Sequence, residues 1–191
     1  MARAERRQQV TDVRALRALA DPVRYRLLGH LMAVGPRTAS QCAEYVGATA
    51  SNCSYHLREL ARYGLIERAE GAADGRERLW QAAATGFGFG DAHDTEPAAA
   101  TAALALSHVQ LDAATRDAHA AIDRASSFSP QWRDAVSMAG YALRISAAEL
   151  AALEQAVDEL IRPYIALTRE DAPPDAAAVH LGVTAYPLET P

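Results

Sequence analysis

Between Thr38 and Gly64 the sequence reads TASQCAEYVGATASNCSYHLRELARYG, a stretch with two helix starts and two helix stops. Thr38 with Gln41 forms a capping-box pattern, and Gly47 closes the helix that follows. Thr49 can cap a second helix, and Gly64 suits the left-handed turn that ends it. Only Ala48 separates Gly47 from Thr49, so the two helices meet at a tight turn. Along the second helix Cys53, Leu57 and Leu60 recur at helical spacing and mark one buried stripe. The opposite face carries Ser51, Asn52, Tyr55, Arg58 and Arg62. A solvated helix would show mixed charges there, whereas these first two turns hold short hydroxyls, an amide and a phenol.

The flanking segments narrow what this pair can belong to. TDVRALRALA places Val13, Leu16 and Leu19 on one face of a short first helix. Asp21 caps and Pro22 opens another, which buries Val23, Leu27, Leu28, Leu31 and Val34 and ends at Gly35-Pro36. Beyond Gly64, LIERAE and RERLWQ read as two strands around GAADG, whose Asp74-Gly75 is a hairpin-turn signal. Three helices, a tight turn into a fourth and a two-stranded wing make a winged helix-turn-helix. In such a motif the second helix of the pair enters the major groove while the first crosses the backbone. The short polar face is then sized to approach base edges. Ser51, Asn52 and Ser54 can donate or accept at bases and phosphates, and Tyr55 can stack or hydrogen-bond. Arg58 and Arg62, further along, reach for phosphate. Arg76 and Arg78 share one face of the wing's return strand and suit adjacent phosphates or the minor groove.

Net charge fits a nucleic-acid binder only once the chain is divided. The total is −5. Residues 1–83 carry 13 Arg against 9 acids, a balance of +4, and residues 84–191 carry 6 Arg against 15 acids, a balance of −9. Every basic side chain is Arg. A basic amino half joined to an acidic carboxyl half is what a DNA-reading module fused to a separate module would show. The competing reading is an uneven but solvated surface. With half of its 191 residues apolar, the chain can bury a real core and suits one or two small domains. MARAERRQQV is charged and no long apolar run follows, so neither a signal peptide nor a membrane span is expected. The two cysteines form no framework of pairs, which fits a reducing cytoplasm.

LRALADPVRYRLLGHL, ATASNCSYHLRELARYGLIERA and GRERLWQ together resemble the winged helix-turn-helix repressors of the ArsR type. The most telling run is Ser54, His56, Leu57 and Leu60, followed by Gly64-Leu65-Ile66. The resemblance covers about residues 12–83 and is specific in combination, each piece alone being common. It implies a bacterial or archaeal homodimeric transcription regulator, usually a repressor released by an effector, reading a near-palindromic operator through helix 49–63 and wing 65–82. By position, the DNA-contacting residues of such proteins fall on Ala50, Ser51, Ser54 and Tyr55. Ala50 departs from the pattern, since Gln is often found there, and this leaves one base-reading contact unfilled. The DNA-facing set is therefore Thr49, Ala50, Ser51, Asn52, Ser54, Tyr55, Arg58, Arg62, Arg76 and Arg78.

Some ArsR-type proteins sense metals, and their ligand patterns can be compared with this chain. The arsenic type places Cys-x-Cys before the recognition helix, where this chain has only Cys42 in SQCAEYVG. Cys42 and Cys53 both read as small buried hydrophobes. The zinc type uses four ligands on later helices. His108 and His119 have the right separation, but Leu106 and Ile122 occupy the other two positions, and Asp112 could only share their helix face. No metal or other cofactor is expected. His56 reads as a hydrogen-bonded packing residue.

The carboxyl half gives a coarser picture. Residues 1–10 read as a flexible basic tail, 11–84 as the DNA-binding domain, 85–96 (TGFGFGDAHDTE) as a Gly-rich acidic linker, and 97–191 as a dimerisation or effector domain. A long alanine-rich helix starts near Thr95 and Pro97 and runs to about Ser126, its Leu104, Leu111 and Ile122 making a poor coiled-coil seam. GYALRI alternates like a strand. Ser146 and Glu149 form a second capping box, opening a helix with Leu150, Leu153, Val157, Leu160, Ile161 and Tyr164 on its apolar side, which Pro163 shortens or kinks. AVHLGVTAY reads as a last strand with Val179, Leu181 and Val183 inward. Two such strands are marginal alone and should gain partners from the long helix or a second subunit. The expected class is thus mainly α with a small β component: a winged helix-turn-helix followed by a helical α+β domain. No nucleotide loop or nucleophile elbow is present, and pairs such as Glu154 with Asp158 read as a solvated face, so an enzyme is not expected. Two alternatives stay open. One is a winged helix used for protein contacts. The other is a regulator whose carboxyl domain takes a small organic effector between Trp132, Tyr141 and the apolar helix.

Overall fold

A computed structural model describes residues 7–69, 78–89 and 96–188. The chain is mainly helical with a small β component. Strand β1 (Arg7–Val10) leads into α1 (Val13–Leu19), α2 (Pro22–Val34), α3 (Ala39–Val46) and α4 (Ala50–Arg62). Strands β2 (Ile66–Arg68), β3 (Trp80–Ala82) and β4 (Gly86–Phe89) follow, then the long α5 (Pro97–Asp123), the short α6 (Pro130–Ala135) and α7 (Ala147–Ile161).

The helix boundaries come from side-chain caps. Asp12 accepts from the Arg14 amide, and Asp21 accepts from the amides of Val23 and Arg24 at 2.9 and 3.0 Å. Thr38 and Gln41 complete a reciprocal capping box, as do Ser146 and Glu149. Each such cap satisfies donors that the first helical turn leaves orphaned, a contribution of about 1 kcal/mol. Gly47 and Gly64 take φ of +71° and +67°, the left-handed geometry that stops α3 and α4.

Those boundaries aim one face of each helix inward. Leu16 and Leu19 of α1, Leu27 and Leu31 of α2, Cys42 of α3, Cys53, Leu57 and Leu60 of α4, and Leu65 and Ile66 form one core, which Leu106 of α5 joins. α5 lies along α1 and reaches α2. β2 and β3 pair antiparallel with Ile66 opposite Ala82 and Arg68 opposite Trp80. Trp80 also exchanges backbone hydrogen bonds with Arg37, 2.9 Å from the Arg37 amide and 2.8 Å to its carbonyl, tying the wing to the end of α2. The expected hairpin turn at Asp74-Gly75 lies outside the described residues, as does Thr95.

Several expectations need correction. The flexible tail and the linker each contribute a strand: β1 pairs parallel with β4, Gln9 opposite Gly88. The end of the Gln9 side chain lies over Gly88 where a Cβ would sit, so a larger residue there would require that side chain to move. α5 begins at Pro97 after Glu96 without a side-chain cap and ends at Asp123, not Ser126. The two carboxyl strands are not formed. GYALRI and AVHLGVTAY run without helix or ladder among the described residues, because an alternating segment becomes a strand only when another backbone pairs with it. The apolar side of α7 is only partly covered: Leu150, Val157 and Ile161 are half-buried, while Leu153, Leu160 and Tyr164 are exposed. Pro163 does shorten that helix, which passes into a single 3-10 turn at Arg162–Tyr164.

Candidate nucleic-acid interface

α4 is built so that its polar start faces solvent. Cys53, Leu57 and Leu60 are fully buried, which pins the rotation of the helix. Ser51, Asn52, Tyr55, Arg58 and Arg62 are exposed by the same rotation, and Ser54 is half-buried at one edge. Thr49 accepts the Asn52 amide at 3.2 Å, so its hydroxyl is committed to the cap while its Cα marks the exposed tip. Ala50 is exposed beside it and offers only a methyl group.

On either flank of α4 lies an open cleft lined with arginine. One, of about 370 Å³, is bounded by Ser40 at the start of α3, Ser54 and Arg58 of α4, and Arg68, Arg78 and Trp80 of the wing. The other, of about 280 Å³, is bounded by Arg14 and Arg17 of α1, Arg24 of α2, and Tyr55, Glu59 and Tyr63 of α4. The exposed helix start therefore stands between two concave, mostly basic surfaces.

The first cleft is the more ordered. The Arg68 guanidinium lies 3.5 Å from the centre of the Trp80 ring, a cation–π contact, and donates to the Arg78 carbonyl at 3.3 Å. Partial burial and then the charge of Arg78 both lower its pKa, yet guanidinium remains a cation in proteins. Arg68 is thus fixed in place without being neutralised. In the second cleft, Arg24 is drawn inward: it donates through Nε to the Ala18 carbonyl and sits 3.5 Å from Asp21. Arg14 and Arg17 are exposed at the rim.

Of the expected DNA-facing residues, Thr49, Ala50, Ser51, Asn52, Tyr55, Arg58 and Arg62 are exposed with Ser54 half-buried at their edge, and Arg78 shares the first cleft with Ser54 and Arg58. Arg76 lies outside the described residues. Arg68 and Ser40 in the first cleft and Arg14 and Arg17 in the second line the same flanks without having been among the expected residues. Arg68 was legible in principle, since the strand register that places it opposite Trp80 follows from pairing LIER with RLWQ. Arg14 and Arg17 share the side of α1 opposite its buried stripe, which is a surface pattern until α4 is set beside it.

His56 does not fit its expected role. Its Nδ1 is buried without a hydrogen-bond partner, 3.9 Å from Asp21, while its ring meets Tyr55 edge-on at 5.4 Å. It packs; it does not bond. Both cysteines are fully buried, and desolvation pushes the Cys42 thiol up to about 12. Leu106 belongs to the core, and among the described residues no group of three or more His, Cys, Asp or Glu comes together as a metal site would require. No helix among the described residues is long and apolar enough to cross a membrane. Tyr141 is 84% exposed, so it encloses no pocket with Trp132.

Residues 19–69 match the helix-turn-helix domain family. A probable mercury resistance operon repressor from Streptomyces lividans is 39% identical over 56 residues, covering 29% of this chain. The match spans 44% of that repressor, less than half its length. Solved structures similar to the chain include the PcaV transcriptional regulator of Streptomyces coelicolor with its natural ligand (15% identity, 74% of each chain, TM-score 0.32). MarR of E. coli in its apo form is another (15% identity, 78% of this chain and 87% of that one, TM-score 0.32). Overlaps at that level add nothing to the description of the fold, which rests on the chain's own elements. Residues 19–69 are a helix-turn-helix domain, and β2 and β3 complete it as a winged one.

Proposed function

We propose that this chain is a sequence-specific, DNA-binding transcription regulator of the ArsR type, acting as a homodimeric repressor on a near-palindromic operator. One observation carries the reading: a helix start of hydroxyls, an amide and a phenol stands exposed between two arginine-lined clefts. A protein-contact surface of this kind would be expected to carry a buried apolar anchor at its centre. Here the centre is small and polar, and the flanks are cationic.

In this reading α4 enters the major groove. Ser51, Asn52, Ser54 and Tyr55 meet base edges, and Arg58 and Arg62 lie further along toward phosphate. Arg68 and Arg78 take the phosphate at one wall of the groove, and Arg14 and Arg17 take one at the other. Two copies related by a two-fold axis would place their α4 helices in half-sites about 34–36 Å apart. The acidic carboxyl half faces away from the duplex. The S. lividans relative is named for mercury resistance, but our reading assigns no metal to this chain, because its two cysteines are core residues. Our reading assigns no organic effector to the region of half-buried Trp132 and exposed Tyr141 within one chain.

The test is selection of bound fragments from a random DNA pool with the purified full-length protein. Enrichment of a two-fold symmetric site supports the reading. A pool left unenriched at near-physiological salt overturns it.

A further inference from the structure

Trp80 sits where three backbone segments meet. It faces Arg68 across the β2–β3 ladder, and its own amide and carbonyl bond to Arg37 just beyond α2. The residue is only 7% exposed and belongs to the winged-helix core. A backbone tied on both sides and a packed ring leave the indole little freedom to follow a ligand.

Trp80 nevertheless forms part of the wall of the first cleft, beside Arg58, Arg68 and Arg78. Among the described residues that wall holds three arginines and no carboxylate. The Arg68 guanidinium lies over the indole, 3.5 Å from the ring centre. Stacking of this kind occupies the face of a guanidinium and leaves its edge, with the N–H groups, for hydrogen bonds. One of those groups is taken by the Arg78 carbonyl at 3.3 Å. An unrestrained arginine gives up its rotamer freedom when it takes a phosphate. Arg68 gives up much of that freedom on folding, because the ring and the carbonyl already hold it.

We propose that Trp80 is a positioning residue for DNA binding: its indole holds the Arg68 guanidinium in advance, so that a backbone phosphate meets a donor edge already in place. This deepens the DNA-binding reading above and rests on it. The charge of Arg68 supplies the salt-dependent attraction, and the ring of Trp80 supplies the geometry. The two contributions are separable. Removing the guanidinium changes both the affinity and its salt slope, while removing the ring changes the affinity alone. A ring that only filled the core would show in stability and leave Arg68 as effective as before.

The experiment uses the full-length protein carrying Trp80→Leu, Trp80→Phe, Arg68→Ala, or Trp80→Leu together with Arg68→Ala. Binding to a duplex selected by the wild type is followed by fluorescence anisotropy over a salt series. Trp80→Leu should weaken binding about fivefold with the slope kept, the order expected for one side chain left to be ordered on binding. Trp80→Phe keeps a ring and should recover part of that loss. In the Arg68→Ala background, Trp80→Leu should weaken binding no further. Proton NMR of the free wild type should show Arg68 side-chain signals shifted upfield by the indole, identified by their loss in Arg68→Ala. A full effect of Trp80→Leu in the Arg68→Ala background, or an upfield shift that arises only once duplex is added, overturns the proposal. If Trp80→Leu does not fold, the shift in the free wild type decides alone. A selected duplex that Trp80→Leu binds as tightly as wild type sinks this role and leaves the proposed function standing. A wild type that selects no duplex sinks both.

Discussion

α4 and α7 are both capped amphipathic helices, and they have opposite fates. On α4 Leu57 is fully buried, while on α7 Leu160 is 73% exposed. Their caps are equally sound, Thr49 on one and the Ser146–Glu149 box on the other. What separates them is whether a second element arrives to cover the apolar stripe. α4 is met by α2, α3 and β2 within the same chain, whereas among the described residues α7 packs chiefly on the turn that follows it. A helix thus forms from local signals, and its burial is decided elsewhere.

The largest effect that would sharpen this contrast comes from deleting a buried side chain. Leu57→Ala should cost about 3 kcal/mol of stability, the transfer and cavity terms acting together. Leu160→Ala should leave the unfolding of the single chain within about 0.5 kcal/mol of wild type. Any loss it causes should be confined to the part that grows with protein concentration. Urea titrations at two concentrations differing widely would check both. Equal losses at both sites in dilute protein would erase the distinction.

A smaller effect tests the caps. Asp21→Ala removes the acceptor for two amides at the head of α2 and should cost about 1 kcal/mol, visible as a shifted urea midpoint with unchanged slope. Ser146→Ala should lower the helicity of α7 while barely moving the midpoint for the winged-helix core. A common shift of both would mean that the two regions unfold as one unit in the single chain.

The cysteines probe the same core chemically. Burial raises the Cys42 thiol from 9.0 to about 12, and burial raises Cys53 as well. At pH 8 Cys42 in the native protein should therefore react with iodoacetamide about a thousandfold more slowly than in denatured protein, following the thiolate fraction, and Cys53 should be slowed in the same direction. The neutral thiols favour the folded state, and that advantage declines as pH rises through the ordinary thiol range toward 12. Fast native labelling of either residue would place it outside the core.

The smallest expected change is at His30, stacked on Tyr45 with ring centres 4.0 Å apart. Burial first, and then the charge of Arg37, lower its pKa. The folded state thus prefers neutral imidazole, so its contribution is present above the ordinary histidine range and is lost as pH falls through it. His30→Phe should flatten the acid side of the melting-temperature profile between pH 7 and 5. An unchanged profile would remove His30 from the account.

How much of this was legible depended on distance along the chain. The caps at Asp21, Thr38, Thr49 and Ser146 could be read because each is settled within a few residues. The outward face of Ser51, Tyr55, Arg58 and Arg62 could be read because helical spacing fixes which side chains share a side. β1 and β4 could not, since their parallel pairing joins the start of the chain to a Gly-Phe repeat beyond the wing. The alternation in GYALRI and AVHLGVTAY was visible, but alternation reports which side chains want covering and says nothing about which backbone will cover them. Arg68 went unread because its role arises from the ring across the strand, and His56 because burial alone does not supply a hydrogen bond.

The central claim is that α4 reads bases while the flanking arginines hold phosphate. Fluorescence anisotropy across a salt series, with a selected and a scrambled duplex, tests it most directly. Wild type should prefer the selected duplex at about 0.15 M salt. Arg58→Ala and Arg68→Ala should each weaken binding to both duplexes and reduce the slope of log affinity against log salt by about 1. Ser51→Ala or Tyr55→Ala should instead keep the slope and relax preference at particular base pairs by about 1–3 kcal/mol. A wild type that binds both duplexes alike, or arginine variants that keep the wild-type slope, would contradict the account.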